Sequence, residues 1–187
     1  MLAPVTSAPA LGDLRTGPAL AAPDLLAPAV TAFLRTWSHA GDVAVAAIDP
    51  DLADTAAFVE AYDVPADASA NCVVVAGRRD GAEKVGACLV LATTRADVNG
   101  AVRRLLDVRK ASVLPTDRTV EETGMEYGGI TPLGLPSDWR VLVDARVAGV
   151  EHVVVGSGVR HSKIVLPGPV LAELPAAEIV EGLANPA

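Results

Sequence analysis

The sequence predicts an α+β fold with a mixed sheet in a single domain. Three observations carry this. Two almost wholly apolar runs, 71–76 and 85–92, flank an Asp80-Gly81 dipeptide, the signature of a hairpin. Segments with helical apolar spacing are interleaved with further strand-like runs along the chain. Of the 187 residues, 51% are hydrophobic but only 3% aromatic, so the core must be built from Val, Leu, Ile and Ala. A chain of this length is expected to form one domain and can bury a real core.

Residues 1–28 are rich in Ala, Pro and Leu, with prolines interrupting the apolar stretches. That composition reads as a flexible leader rather than an export signal, with the domain proper over 29–187. Leu26, Val30, Phe33, Leu34 and Trp37 share one helical face, and Gly41 ends that helix. A strand over 43–48 is closed by Asp49-Pro50, and a helix over 54–62 turns Ala57, Phe58 and Ala61 inward. The runs 71–76 and 85–92 are apolar at every position, which predicts strands covered on both faces. Asp97 suits the cap of a helix reaching about Val108, with Val98, Val102, Leu105 and Leu106 on its apolar face. A short strand is expected next at 111–114. Thr119-Val120-Glu121-Glu122 has the capping-box pattern and predicts the start of another short helix. Strands are expected at 139–143, 152–155 and 163–166, a helical turn at 169–174, and a last strand near Ile179.

The net charge is −8, which argues against DNA binding and against any nucleic-acid binder coated in basic residues. A local patch gripping the end of an RNA remains compatible with it. The low aromatic content argues against a groove that stacks bases. Cys72 and Cys88 both sit in apolar runs, without a Cys-x-x-Cys pair, and read as buried free thiols of a reduced cytoplasm. His39, His152 and His161 lack metal-ligand spacing, so neither a metal nor another cofactor is expected. No apolar run approaches the roughly 20 residues of a membrane span.

The densest motif is Thr123-Gly124-Met125-Glu126-Tyr127-Gly128-Gly129-Ile130-Thr131-Pro132-Leu133-Gly134. Glycines allow close backbone approach and proline stiffens the loop, so rigid N–H groups aimed at a ligand are one reading. A tight structural turn is the other. The pattern matches neither a dinucleotide fingerprint nor a phosphate-binding P-loop. No convincing Ser-His-Asp triad accompanies it.

The order of segments narrows the choice. Thr-Gly, then Gly-Gly-x-x-Pro-x-Gly, then a strand ending in Asp144, then Val-Val-Val-Gly-Ser-Gly, then Lys-Ile-Val-Leu resembles the YbaK/EbsC family, the prolyl-tRNA-synthetase-associated editing domains. The resemblance runs from about Val30 to Leu183. It implies a mixed, barrel-like sheet flanked by helices, and hydrolysis of the ester joining a wrong, small amino acid to the 3′ end of a mischarged tRNA. It implies Gly128, Gly129, Ile130, Thr131 and Pro132 as the loop that holds the ester and its oxyanion by backbone donors. It further implies Thr123, Gly124 and Gly134 at the loop's ends, Asp144, the Gly156-Ser157-Gly158 turn and His161 as substrate-binding candidates. Discrimination would rest on pocket size, the logic of a second sieve. Plain structural roles stand beside each: a cap for Asp144, a turn for 156–158, a surface position beside Arg160 for His161.

One position departs from the family. Where many members carry an essential lysine at the start of a strand, this chain has Asn71, which donates hydrogen bonds without charge. Three readings stay open: Asn71 holds the ribose neutrally; another cation, Arg78, Arg79 or Lys163, reaches in; or deacylation is lost. In the last case the protein is a binding module for an aminoacyl or tRNA-end ligand or a protein partner. A hydrolase of small esters is the third function class. Arg103, Arg104, Arg109 and Lys110, with Arg78 and Arg79, form either a basic rim or a solvated face. The oligomeric state is not legible.

Overall fold

The interleaved pattern is realised in the computed structural model, which describes residues 11–187. In chain order the strands are β1 (Thr16–Pro18), β2 (Ala44–Ala47), β3 (Ala70–Arg79), β4 (Ala82–Leu91), β5 (Thr94–Ala96), β6 (Lys110–Val113), β7 (Arg140–Asp144), β8 (Val153–Gly156), β9 (Ser162–Leu166), β10 (Ala177–Val180) and β11 (Ala184–Pro186). The α-helices are α1 (Pro28–Leu34), α2 (Thr55–Ala61), α3 (Arg103–Leu105), α4 (Thr116–Thr123) and α5 (Ala145–Ala148).

Two sheets form the frame. One has the order β1-β2-β9-β8 and is antiparallel throughout. The other, β10-β7-β4-β3-β6, is mixed: β7 lies parallel to β4 and β10, while β3 runs antiparallel to β4 and β6. A parallel bridge from Ser69 to Val154 joins the sheets at the start of β3, and β5 pairs with β11 separately. The mixed, barrel-like arrangement agrees with the expected fold.

Strand periodicity explains the three-layered core. Val45, Val153, Val155, Ile164 and Leu166 from one sheet meet Leu89, Leu91, Val141 and Val143 from the other, with Val30 and Leu34 of α1 alongside. The alternate residues Ala44, Ala46, Val154 and Val165 pack under Phe58 of α2. On the far face of the second sheet, Cys88, Val90 and Leu142 lie under Val102 and Leu106. Both faces of the central strands are therefore covered, which is why they lack polar alternation. Each buried Leu, Ile or Phe contributes about 1.5–3 kcal/mol of transfer free energy.

Several expectations shift. From Leu11 onward, the stretch read as a flexible leader is packed into the fold. Thr16–Pro18 pairs with β2, and Leu14, Ala19, Leu26 and Ala27 are buried. Residues 1–10 of the expected leader lie outside the described residues. The capping box is not used: α4 begins earlier, after Pro115, and the Thr119 hydroxyl donates back to Pro115 O within the helix. Asp97 does cap its segment, accepting from Gly100 N (3.0 Å) and Ala101 N (2.8 Å), but the capped segment is a π-helical turn over Val98–Val102 that leads into α3. Among the described residues no helix is long and apolar enough to cross a membrane.

Candidate active site

The inter-sheet bridge positions a cleft. Ser69 sits beside Val154 in parallel register, so two residues further on Asn71 of β3 comes level with Gly156 of β8. Gly156 in turn pairs with Lys163 of β9. These three residues line a cleft of about 260 Å³, together with Thr55 at the start of α2 and Gly128 and Ile130 of the glycine loop.

Lys163 is the cation of this cleft. It is only 8% exposed, and its ammonium donates to Ala53 O at 2.9 Å and Gly128 O at 3.4 Å. Its Nζ lies 5.3 Å from the centre of the Phe58 ring. Burial pushes the amine down from the ordinary 10.5 to about 8; the Arg160 charge adds to this and Asp54 partly opposes it. No carboxylate pairs directly with Lys163 among the described residues. Of the cations weighed from sequence, Lys163 alone is in reach. Arg78 and Arg79 sit seven and eight residues along β3 from Asn71, more than about 20 Å away at 3.3 Å per residue. They are also occupied: Arg78 pairs with Glu83 and Arg79 with Asp107, while Arg109 pairs with Asp80. Three of the six cations weighed as a basic rim or a solvated face, Arg78, Arg79 and Arg109, are thus paired with neighbouring acids.

Asn71 accepts a hydrogen bond from the Thr55 hydroxyl at 2.6 Å, which orients its side chain. Its amide NH2 has no partner among the described residues.

The two glycine motifs dock backbone to backbone. Gly158 N donates to Gly129 O at 2.7 Å, and Glu126 N donates to Gly158 O at 2.8 Å. A Cβ on Gly156 would stand 2.5 Å from Ile130 O and closer still to Gly129 O; one on Gly129 would stand 2.6 Å from Val159 O. No side chain fits between these strands of backbone. Arg160 straps the assembly from outside. Its N–H donates to the Glu126 carboxylate at 2.7 Å, and its guanidinium donates to Tyr127 O and Pro50 O, both at 3.1 Å. Within this fixed loop the N–H groups of Gly128 and Ile130, both cleft residues, are free of partners among the described residues.

The remaining candidates lie outside the cleft lining. Asp144 is fully buried and caps α5, accepting from Arg146 N (3.0 Å), the Arg146 guanidinium (2.7 and 2.8 Å) and Ala184 N (3.2 Å). Burial alone would raise its carboxyl, but the Arg146 bonds and charge outweigh that and hold it below the ordinary carboxylate range. Thr123 bonds Thr119 O within α4, and Gly124 ends that helix in a left-handed turn. Ser157 and Ser162 bond each other at 2.7 Å beneath the turn. His161 faces Asp24 O at 3.1 Å, toward the N-terminal segment. Thr131 is fully buried with its hydroxyl unpartnered. None of these, nor Gly129, Pro132, Gly134 or Gly158, is among the residues lining the cleft. Cys72 does line it, yet burial, with Cys88 beside it, raises its thiol far above neutrality; Cys88 is pushed up to about 12 by burial. Among the described residues no cluster of three or more His, Cys, Asp or Glu is placed to hold a metal. Thr55 had no signal in the sequence. Lys163 had one: a lysine directly before the apolar run Ile164-Val165-Leu166.

Comparison with known proteins identifies the family. The model of the aminoacyl-tRNA editing domain family matches residues 49–174, a span that holds the whole cleft. YwhH of Bacillus subtilis (strain 168), an uncharacterized protein, is 30% identical over 91 residues, covering 49% of this chain and 58% of that protein. The crystal structure of a candidate trans-editing enzyme for prolyl tRNA synthetase superposes with a TM-score of 0.71 at 19% identity, covering 87% of this chain and 99% of that one. The hypothetical protein APE2540 superposes with a TM-score of 0.66 at 20% identity, covering 75% and 90%.

Proposed function

Because the chain belongs to the aminoacyl-tRNA editing domain family, we propose that it hydrolyses the ester of a small amino acid misattached to the 3′ end of a tRNA. The observation that carries this is that Gly128 and Ile130, whose N–H groups have no partner among the described residues, line one cleft together with Asn71 and Lys163. Water adds to the ester carbonyl, and the developing oxyanion accepts from Gly128 and Ile130 N–H. The bond from the carbonyl carbon to the ribose oxygen then breaks; that oxygen takes a proton, leaving free amino acid and intact tRNA. Asn71, oriented by Thr55, holds the ribose or the amino acid. Lys163 supplies the positive charge that Asn71 lacks. No side-chain nucleophile is needed, and Cys72 is a poor one. The modest volume, walled by Ile130 and aliphatic strand residues, supports selection by size.

The test is release of amino acid from tRNAs mischarged with Ala, Cys, Ser, Thr and Pro, using wild type beside Asn71→Ala and Thr55→Val. Release from one or two of the panel, lowered roughly tenfold or more by each substitution, is expected. Rates equal to uncatalysed hydrolysis across the panel refute deacylation of these substrates and put a binding role ahead.

A further inference from the structure

The chemistry above occupies the floor of the cleft and leaves its mouth unused. Among the described residues the large apolar side chains left most exposed are Leu20, Val113, Tyr127 and Ile179, and two of these line the cleft: Tyr127 at 61% and Val113 at 57%. The coincidence is informative in a chain with 3% aromatic residues, whose Phe58 and Trp139 are buried. Single exposed apolar residues need no explanation; two in the lining of one cleft mark a contact surface.

Tyr127 is also held in place. The Arg160 guanidinium carbon lies 5.7 Å from its ring centre, and the same guanidinium bonds Tyr127 O and Pro50 O. The preceding Glu126 carboxylate accepts from Arg160 N. The guanidinium lies over the ring and anchors the backbone beneath it, so a flat partner stacking there meets an aromatic face backed by a cation.

We infer that Tyr127 is the stacking platform for the terminal nucleobase of the RNA 3′ end, with Val113 as the apolar wall of the same recess. This rests on the editing reading and names the part of the substrate that the mouth of the cleft grips. Every mature tRNA ends in the same nucleotide, so a π-face contact with no base-edge readout is sufficient. The low aromatic content excludes an extended base-stacking groove but not a single plate.

The test uses two RNA hairpins, one ending in a single-stranded 3′ CCA and one identical except that the last nucleotide lacks its base. Binding is measured by fluorescence anisotropy at low salt with wild type, Tyr127→Ala and Tyr127→Phe, after matching their melting temperatures. Wild type and Tyr127→Phe are expected to prefer the complete hairpin by at least about fivefold, and Tyr127→Ala to bind both alike. The platform is overturned if Tyr127→Ala keeps the preference, or if wild type binds both hairpins equally; the editing reading survives either result. If wild type binds neither hairpin, the platform and the tRNA substrate fall together.

Discussion

Replacing Lys163 by methionine is expected to stabilise the protein while abolishing its turnover. Lowering the amine from 10.5 to about 8 means that keeping the ammonium inside the fold at pH 7 costs about 3 kcal/mol. Methionine fills similar space without that cost. It forfeits the bonds to Ala53 O and Gly128 O and the contact with Phe58, together worth about 1–2 kcal/mol. The net gain at pH 7 is then about 1–2 kcal/mol. The pH dependence has a definite sign. The folded state binds the proton less tightly than the unfolded state, so the penalty is fully present below pH 8. It is relieved as pH rises from about 8 toward 10.5. The gap between variant and wild type should therefore shrink over that window, as read by urea melts at pH 7 and pH 10. Deacylation kcat/KM of the variant is expected to fall by at least about 100-fold, the loss typical of removing one preorganised charged group from a site. Wild-type kcat/KM, corrected for uncatalysed hydrolysis, should decline above about pH 8 as the ammonium titrates. Two results refute the reasoning. A variant less stable than wild type, with a gap insensitive to pH, makes Lys163 a structural tie. A stable variant with undiminished turnover removes it from the chemistry.

Two glycines separate docking from helix ending. Gly156→Ala puts a methyl against Gly129 O and Ile130 O, so thermal melts should show a loss of about 2 kcal/mol or more, with deacylation lost in the folded fraction. Gly124→Ala meets open space and pays only for its left-handed backbone, so about 1 kcal/mol is lost and turnover persists. Asp144→Asn unpairs Arg146 and weakens the tie to Ala184, costing about 2 kcal/mol at pH 7 with turnover per folded molecule unchanged. Its carboxyl sits below the ordinary range, so its contribution is complete at neutral pH and lost as pH falls below about 4; urea melts across pH 3–7 should show the difference between wild type and variant closing in acid.

The parts of the fold that were legible in the sequence are those with a local cause. The Asp80-Gly81 hairpin, the continuous apolar strands and the Asp97 cap each depend on residues near in sequence. The strands β1, β5 and β11 were not legible, because each is only three residues long and is defined by a distant partner rather than by its own periodicity. The N-terminal Ala/Pro-rich stretch illustrates the same limit. Prolines suit a leader, but they equally suit the start of α1 and short turns that place Ala19, Leu26 and Ala27 against the core. Of the residues lining the cleft, Asn71, Gly128 and Ile130 could be picked from the sequence. Thr55 could not, since only folding carries the α2 start to β3, and Lys163 could be picked from among several cations only once strand distances were known.

The structure also changes what the glycine motif signifies. Only Gly128 and Ile130 of the expected loop line the cleft; Gly129 is consumed in contacts with the second glycine turn. The two functions are nonetheless one. Catalysis by backbone donors gains nothing from a donor that must be reoriented at each turnover, because the reorganisation would offset the stabilisation. A loop can hold two N–H groups still only if the rest of its backbone is fixed, and with no room for side chains between 128–130 and 156–159 that fixing is done by main-chain bonds and by Arg160. A glycine-rich segment that looks built for flexibility is here the least adjustable part of the site. Activity should therefore be more sensitive to small additions at Gly156, which never touches the reacting atoms in the mechanism proposed, than to conservative changes at the exposed mouth of the cleft.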